Sequence, residues 1–123
     1  MAWFTAHLVT YFKLKNVPQD TYTVWENVIL IEASDEAHAM TKAEEFGRIE
    51  AELDAEDNTL TVDDEPAETI FAGVRKIGTV FHRGQGGNLE SGDEVTFNEF
   101  VVTDEQSIKK LVEGEEVQVN YIK

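Results

Sequence analysis

Two long segments with the composition of β-strands, separated by a short polar link, constrain the fold of this chain most strongly. Residues 3–14 place apolar side chains on one face, and residues 22–33 are rich in aromatic and β-branched side chains. A parallel crossover needs a dozen or more residues, so the turn cluster at residues 16–20 predicts an antiparallel pair. Residues 28–31 are apolar on both faces, which predicts that the second strand is central in the sheet and covered by a helix on one side.

The segment after the second strand has the pattern of an amphipathic helix. Ser34 is the predicted N-cap, and the helix is expected to run to about residue 50. Small and apolar residues recur there at spacings of three and four. The stripe consists of Ala37, Met40, Ala43 and Gly47. Such small residues predict a helix that lies close on the sheet.

The middle of the chain predicts an acidic connection and a long strand. Residues 54–66 form the connection, with a possible short edge strand at residues 59–62. Residues 68–83 predict a long strand, in which Gly73 and Gly78 mark bulges or a bend because the alternation breaks there.

The last third predicts two further strands around a short helix. Residues 84–88 are a predicted mobile loop, and residues 94–102 a strand. Residues 103–106 resemble a capping box that opens a helix, and Gly114 ends it. Alternating apolar residues then predict a final half-buried strand over residues 117–121.

These elements predict one α+β domain spanning residues 1–123, in the order β-β-α-β-β-α-β with one additional short strand. We expect a mostly antiparallel sheet with one main helix packed on it and a second, short helix. The chain has no cysteine, which excludes disulfides, zinc–thiolate sites and cysteine nucleophiles. It shows neither a basic, apolar leader at its start nor an apolar stretch of about 20 residues, so we expect a cytoplasmic protein without a membrane span.

The charge of the chain is strongly negative and unevenly spread. The formal net charge is −15, and fourteen acidic residues against two basic ones lie between Glu32 and Glu68. Nucleic-acid affinity comes chiefly from lysine and arginine neutralising phosphates, so direct DNA or RNA binding is not expected. Docking on an anionic membrane is disfavoured for the same reason.

The first half of the chain resembles a bacterial family described as domain of unknown function 4288. The likeness rests on residues 3–8, 25–33 and 34–43 and continues along the predicted helix to Gly47. A weaker likeness is found at residues 71–74. The matching residues are aromatic, small or apolar, the types that define a strand-strand-helix core. The resemblance therefore implies a fold and no activity.

No catalytic residue is predicted. The serines fit caps or turns, and none lies in a Gly-x-Ser-x-Gly elbow. His7, His38 and His82 have no second histidine at metal-ligand spacing, so we interpret each as exposed or hydrogen-bonded. The glycine-rich residues 83–88 are followed by neither a helix nor basic residues, so a hairpin tip is favoured over an anion cradle.

The acids of residues 54–65 partly follow the twelve-residue spacing of a calcium-binding loop. Thr59 occupies the position at which such loops need glycine, and Pro66 disfavours the helix that should follow. We therefore interpret this segment as a solvated acidic loop and expect no metal or other cofactor.

The favoured hypothesis is a non-catalytic module that binds a basic surface of a protein partner, as an inhibitor or immunity-type protein does. Aromatic residues on the first two strands would supply affinity and the acids would supply on-rate. The candidate partner-binding residues are Asp54, Glu56, Asp57, Asp63, Asp64, Glu65, Trp3 and Trp25. The alternative is a small-molecule or divalent-metal site, enzymatic or not, built from carboxylates and a histidine. A third interpretation assigns the acidity only to solubility or to a salty cytoplasm.

Overall fold

A computed structural model of the chain describes residues 1–81 and 88–122. In order, its elements are β1 (Ala2–Leu14), β2 (Val24–Ala33), α1 (Glu36–Asp57), β3 (Thr61–Val62), β4 (Glu65–Thr79), β5 (Glu99–Val101), α2 (Glu105–Glu113) and β6 (Asn120–Ile122). The predicted α+β class and the order of elements are confirmed, including the additional short strand.

The main sheet has four antiparallel strands in the order β2-β1-β4-β3, and β5 and β6 form a separate two-stranded sheet. The antiparallel pairing of the first two strands is confirmed, but β2 is an edge strand and β1 is central. The predicted helix on one side of β2 is confirmed, but its central position was wrong, because apolar faces do not decide which strands pair laterally. Val28 and Leu30 point away from α1 and remain 42% and 39% exposed.

We call the side of the main sheet that packs against α1 the first face. It buries Phe4, Ala6 and Leu8 of β1 together with Ile31 and Ala33 of β2. Alternation along β1 puts every second residue, such as Thr5 and His7, on the opposite side, which we call the second face. The hydrophobic core therefore lies between the first face and α1.

Small residues allow α1 to approach the first face closely. Ala39, Ala43 and Gly47, each one turn apart, are the buried residues of this helix. A Cβ atom at Gly47 would lie 2.3 to 2.5 Å from atoms of the Phe71 ring, so glycine is required for this contact. The predicted stripe was therefore partly wrong, because Ala37 is exposed and Ala39 occupies the buried turn.

Both ends of α1 differ from the prediction. Its N-cap is Asp35, whose Oδ1 accepts a hydrogen bond from the backbone N–H of His38 at 2.8 Å, whereas Ser34 contacts the His38 ring. The carboxylate is the better acceptor at the positive helix end. The helix also continues to Asp57, because the residues after 50 include strong helix formers such as alanine, glutamate and leucine. Asn58 in the left-handed conformation ends it.

The long strand predicted at residues 68–83 is β4, which both starts earlier, at Glu65, and ends earlier, at Thr79. Its pairing with β1 shifts register twice, and the additional residues are Ala72 and Arg75. Gly73 lies between them with φ of 147°, as the predicted bend requires. Gly78 is not a bulge. It pairs with Thr5, whose Oγ1 would lie 2.7 Å from a Cβ atom at Gly78, so glycine serves close packing there.

The C-terminal segment, residues 88–122, contains less strand than predicted. The strand expected at residues 94–102 is reduced to β5 and a single bridge between Phe81 and Glu94. The N-cap of α2 is Asp104, which accepts from the Ser107 N–H, and the final strand is the short β6. Gly114 ends α2 as predicted. Of the predicted loop 84–88, only residue 88 lies within the described residues.

Candidate functional site

Six of the eight candidate partner-binding residues lie at one end of the main sheet. We call this group the acidic end: Asp54, Glu56, Asp57, Asp63, Asp64 and Glu65. The first three occupy the last turn of α1, and the others form the turn between β3 and β4 and the start of β4. All six are exposed. Lys15 hydrogen-bonds to both Asn58 and Pro66, so these two neighbouring acidic runs lie at the same end of the fold.

Local structure at the acidic end is not arranged for maximal stability. The last turn of α1 carries no basic residue, although the helix dipole favours positive charge there. Asp63 and Asp64 both have positive φ, 51° and 65°, in a two-residue hairpin turn. Asn-Gly is the usual sequence for such a turn, because glycine adopts positive φ without steric cost. Carboxylates therefore stand where other residues would stabilise the fold more.

The carboxylates of the acidic end are not neutralised by basic residues elsewhere in the described chain. Within residues 1–81 and 88–122, the carboxylate close to a basic side chain is Glu26, which pairs with the Arg75 guanidinium and lies near the His7 ring. The Lys15 amine, although close to the end of α1, donates to the side-chain oxygen of Asn58. The acidic end therefore projects a negative field into solvent.

The indole of Trp25 lies on the first face beside the acidic end. It packs edge-on against Phe12, with ring centroids 5.2 Å apart and planes at 87°, yet Trp25 remains 55% exposed. A cleft of about 130 Å³ opens between this indole and the last turns of α1. Its lining residues are Thr10, Phe12, Trp25, Asn27, Glu50, Ala51, Asp54 and Thr69. Trp25 and Asp54, two of the predicted residues, thus share one cleft.

The remaining candidate, Trp3, lies elsewhere. It pairs with Glu32 on the second face, near the start of β1, whereas Trp25 pairs with Thr10 on the first face. Trp3 is half-buried, and its carbonyl accepts from the Val80 N–H. The structure therefore does not bring the two tryptophans together, and Trp3 is not part of the surface around the acidic end.

A polar cluster that the sequence analysis did not predict lies on the second face, under the C-terminal segment. His7 is 2% exposed, and its Nε2 lies 3.3 Å from the Thr96 hydroxyl. Its Nδ1 has no hydrogen-bond partner among the described residues and lies 3.8 Å from a Glu26 oxygen, beyond hydrogen-bond range. Arg75 pairs with Glu26 at 3.0 Å and also donates to the Tyr121 hydroxyl.

Burial lowers the pKa of His7, and Glu26 partly offsets this, while Lys76 and Arg75 add to the lowering. A neutral imidazole between a carboxylate and a hydroxyl has the elements of a general base. Here, however, His7 is enclosed, and the 3.8 Å gap leaves Nδ1 without an orienting hydrogen bond. The cluster is therefore assigned to packing of the second face. In the sequence, the alternation of Thr5 and His7 with apolar neighbours was the feature that could have indicated these buried polar side chains.

The structure provides no metal centre in the described part of the chain. No group of three or more histidine, aspartate or glutamate side chains is placed there to hold an ion. Residues 54–65, which partly follow the spacing of a calcium-binding loop, are divided between the end of α1, β3 and the following turn. His82 and residues 83–87 of the glycine-rich loop lie outside the described residues. No helix among residues 1–81 and 88–122 is both long and apolar enough to cross a membrane.

Comparison with known proteins identifies a family and nothing closer. The model of the family described as Domain of unknown function (DUF4288) matches residues 3–91, which include β1 to β4 and α1. Neither the curated proteins nor the solved structures contain a match. Because the matched residues make up well over half of the chain, the protein belongs to the DUF4288 family.

Proposed function

We propose that this protein is a non-catalytic interaction module whose acidic end binds a basic surface of a protein partner. The observation that carries the proposal is the group of six exposed carboxylates without ion pairs in the described chain, beside the half-exposed indole of Trp25. Unpaired surface charge raises association rates with oppositely charged partners. Half-exposed tryptophan is a frequent anchor of interfaces.

The chemistry of the surface specifies the class of partner. A surface of this sign repels nucleic-acid phosphates and anionic lipid headgroups, so the partner is a protein with clustered lysine and arginine. Proteins that bind nucleic acid, nucleases among them, carry such surfaces. A small acidic domain that covers one of them acts as an inhibitor or immunity-type protein. Acidic residues at the C-terminal end of α1 lower the stability of the fold, and this loss is the cost of having the binding surface there.

The proposal is tested with the full chain as bait on native lysate at low salt. A variant with the six carboxylates of the acidic end changed to their amides is compared with a control of equal net charge. The control replaces Glu44, Glu45, Glu52, Glu99, Glu113 and Glu116 with glutamine, all of them exposed. We expect a basic protein to be retained by the wild type and the control, lost by the first variant, and released at physiological ionic strength or slightly above it.

Equal retention by the two variants would show that net charge alone attracts basic proteins, and it would contradict the proposal. So would retention that is insensitive to salt, since exposed charges more than about 10 Å apart are largely screened at 0.1 M ionic strength.

A further inference from the structure

We infer that the cleft between Trp25 and the last turns of α1 binds the guanidinium group of one arginine side chain from the protein partner. This inference rests on the proposed function and adds to it the position and the chemistry of the anchoring contact. The cleft is a distinct structural feature with an aromatic wall and a polar lining, and two of its lining residues are acidic.

The size of the cleft selects a single side chain. Pockets for small organic ligands usually measure about 300 to 1,000 Å³. The cleft holds about 130 Å³, too little for such a ligand and suited to the end of one long side chain. The occupant that fits is therefore one side chain of a larger molecule.

The charge of the cleft selects a cation. Glu50 and Asp54 both line it, and they lie one turn apart on α1, where two like charges repel. No lysine or arginine is among the lining residues, and neither carboxylate has an ion pair in the described chain. The negative end of the α1 dipole adds to this field. A bound cation would relieve the repulsion between the two carboxylates.

The remaining lining groups favour guanidinium over ammonium. The Trp25 indole offers an aromatic surface, and tryptophan is the aromatic residue that attracts cations most strongly. The ring packs perpendicular to that of Phe12, and 55% of the residue stays exposed. Thr10, Asn27 and Thr69 add side-chain oxygens. A planar group with five donors can stack on the ring and reach several of these acceptors together, which a compact ammonium cannot do.

A capped Gly-Gly-Arg-Gly-Gly peptide serves as the probe, and the same peptide with neutral citrulline or with lysine serves as the comparison. NMR titration follows the indole N–H signals, which a Trp25→Phe variant assigns. We expect saturable shifts at the Trp25 signal with the arginine peptide, little change at Trp3, and at least about tenfold weaker binding of the other two peptides.

Glu50→Gln/Asp54→Asn should weaken binding of the arginine peptide by about tenfold or more. The matched variant Glu44→Gln/Glu52→Gln, on the same helix but outside the cleft, should bind like the wild type. Equal binding by the two double variants, or equal shifts with the arginine and citrulline peptides, would refute binding of a cationic side chain in the cleft. Lysine binding as tightly as arginine would refute the guanidinium assignment.

One further variant separates this inference from the proposed function. Trp25→Leu leaves every charge in place, and it should abolish binding of the arginine peptide, measured by isothermal titration calorimetry, and reduce capture of the basic partner. If Trp25→Leu captures that partner as well as the wild type does, the cleft is not the anchor, although the acidic end remains the binding surface. If the variant without the six carboxylates also captures it, the proposed function itself is wrong.

Discussion

The two faces of the main sheet are buried in different ways. The first face packs apolar side chains such as Phe4 and Leu8 against small residues of α1. The second face buries Thr5 and His7, and one polar atom of each has no hydrogen-bond partner among the described residues. The close contact of α1 stabilises the fold through apolar burial, whereas unpaired polar atoms on the second face cost free energy.

This difference coincides with the extent of the family match. The match covers the strands and the helix that build the first face. The groups that contact the second face, Thr96 above His7 and Tyr121 beside Arg75, lie beyond residue 91. The buried apolar residues of the described chain therefore lie in the part matched by the family, and the C-terminal segment adds polar contacts on the second face.

The largest expected effect contrasts one residue from each face. Leu8→Ala removes a 3% exposed side chain from the core and should lower the free energy of unfolding by about 3 kcal/mol. Val28→Ala on the second face, where the side chain is 42% exposed, should cost less than about 1 kcal/mol. Urea unfolding measures both values. Similar losses would mean that the two faces contribute equally, contrary to the comparison.

A change of opposite sign is expected at Thr5. Its Oγ1 is buried without a partner in the described residues, so Thr5→Val replaces an unsatisfied hydroxyl by a methyl group of similar shape. This should raise the free energy of unfolding by about 1 kcal/mol. Thr23→Val, at an exposed position, serves as the control and should change little. A destabilised Thr5→Val protein would show that the hydroxyl is hydrogen-bonded in solution.

Acid should weaken the second face through His7. Because burial lowers its pKa below the unfolded value of about 6.5, the unfolded chain takes up the proton first as the pH falls. The stability that neutral His7 contributes is thus complete above about pH 6.5 and is lost as the pH falls through the lowered pKa. The free energy of unfolding, measured from about pH 7.5 to about pH 5.5, should fall less in His7→Gln than in the wild type or His38→Gln. Parallel profiles for all three proteins would contradict the role of His7.

Local features of the first face could be predicted from the sequence, and long-range ones could not. The β1–β2 hairpin and α1 follow from alternation, a short link and small residues at helical spacing, all of which act within a few residues. The edge position of β2 depends on β4 pairing with the far side of β1, a contact between distant parts of the chain that apolar periodicity does not encode. Helix α1 ends later than predicted because an acidic segment suits a solvated loop and the last turns of a helix equally well.

The candidate site divides in the same way. The exposed acids were predictable because charged side chains rarely become buried, and Trp25 was one of several candidate aromatic residues. Its association with Glu50 and Asp54 depends on how α1 lies across β2, and Trp3 was included because sequence alone does not show which strand face is open. The polar cluster around His7 was missed because its contacts join residues remote in sequence, His7 with Thr96 and Arg75 with Tyr121.

The smallest expected effect concerns Asp54, at the end of α1 where the helix no longer packs closely on the first face. In its first half, α1 packs on the sheet through the buried Ala39 and Ala43. Asp54 instead lines the open cleft, at the C-terminal end of α1, where the helix dipole disfavours negative charge. The last turn of α2, by contrast, carries Lys110. Asp54→Asn should therefore raise the free energy of unfolding by about 0.5 kcal/mol, through the dipole and through relief of repulsion by Glu50, while weakening binding of a cationic partner. Thermal unfolding at low salt measures the gain, which should shrink at about 1 M salt because exposed charges are then screened. A loss of stability would show that Asp54 supports the fold, and the acidic end would no longer represent stability given up for binding.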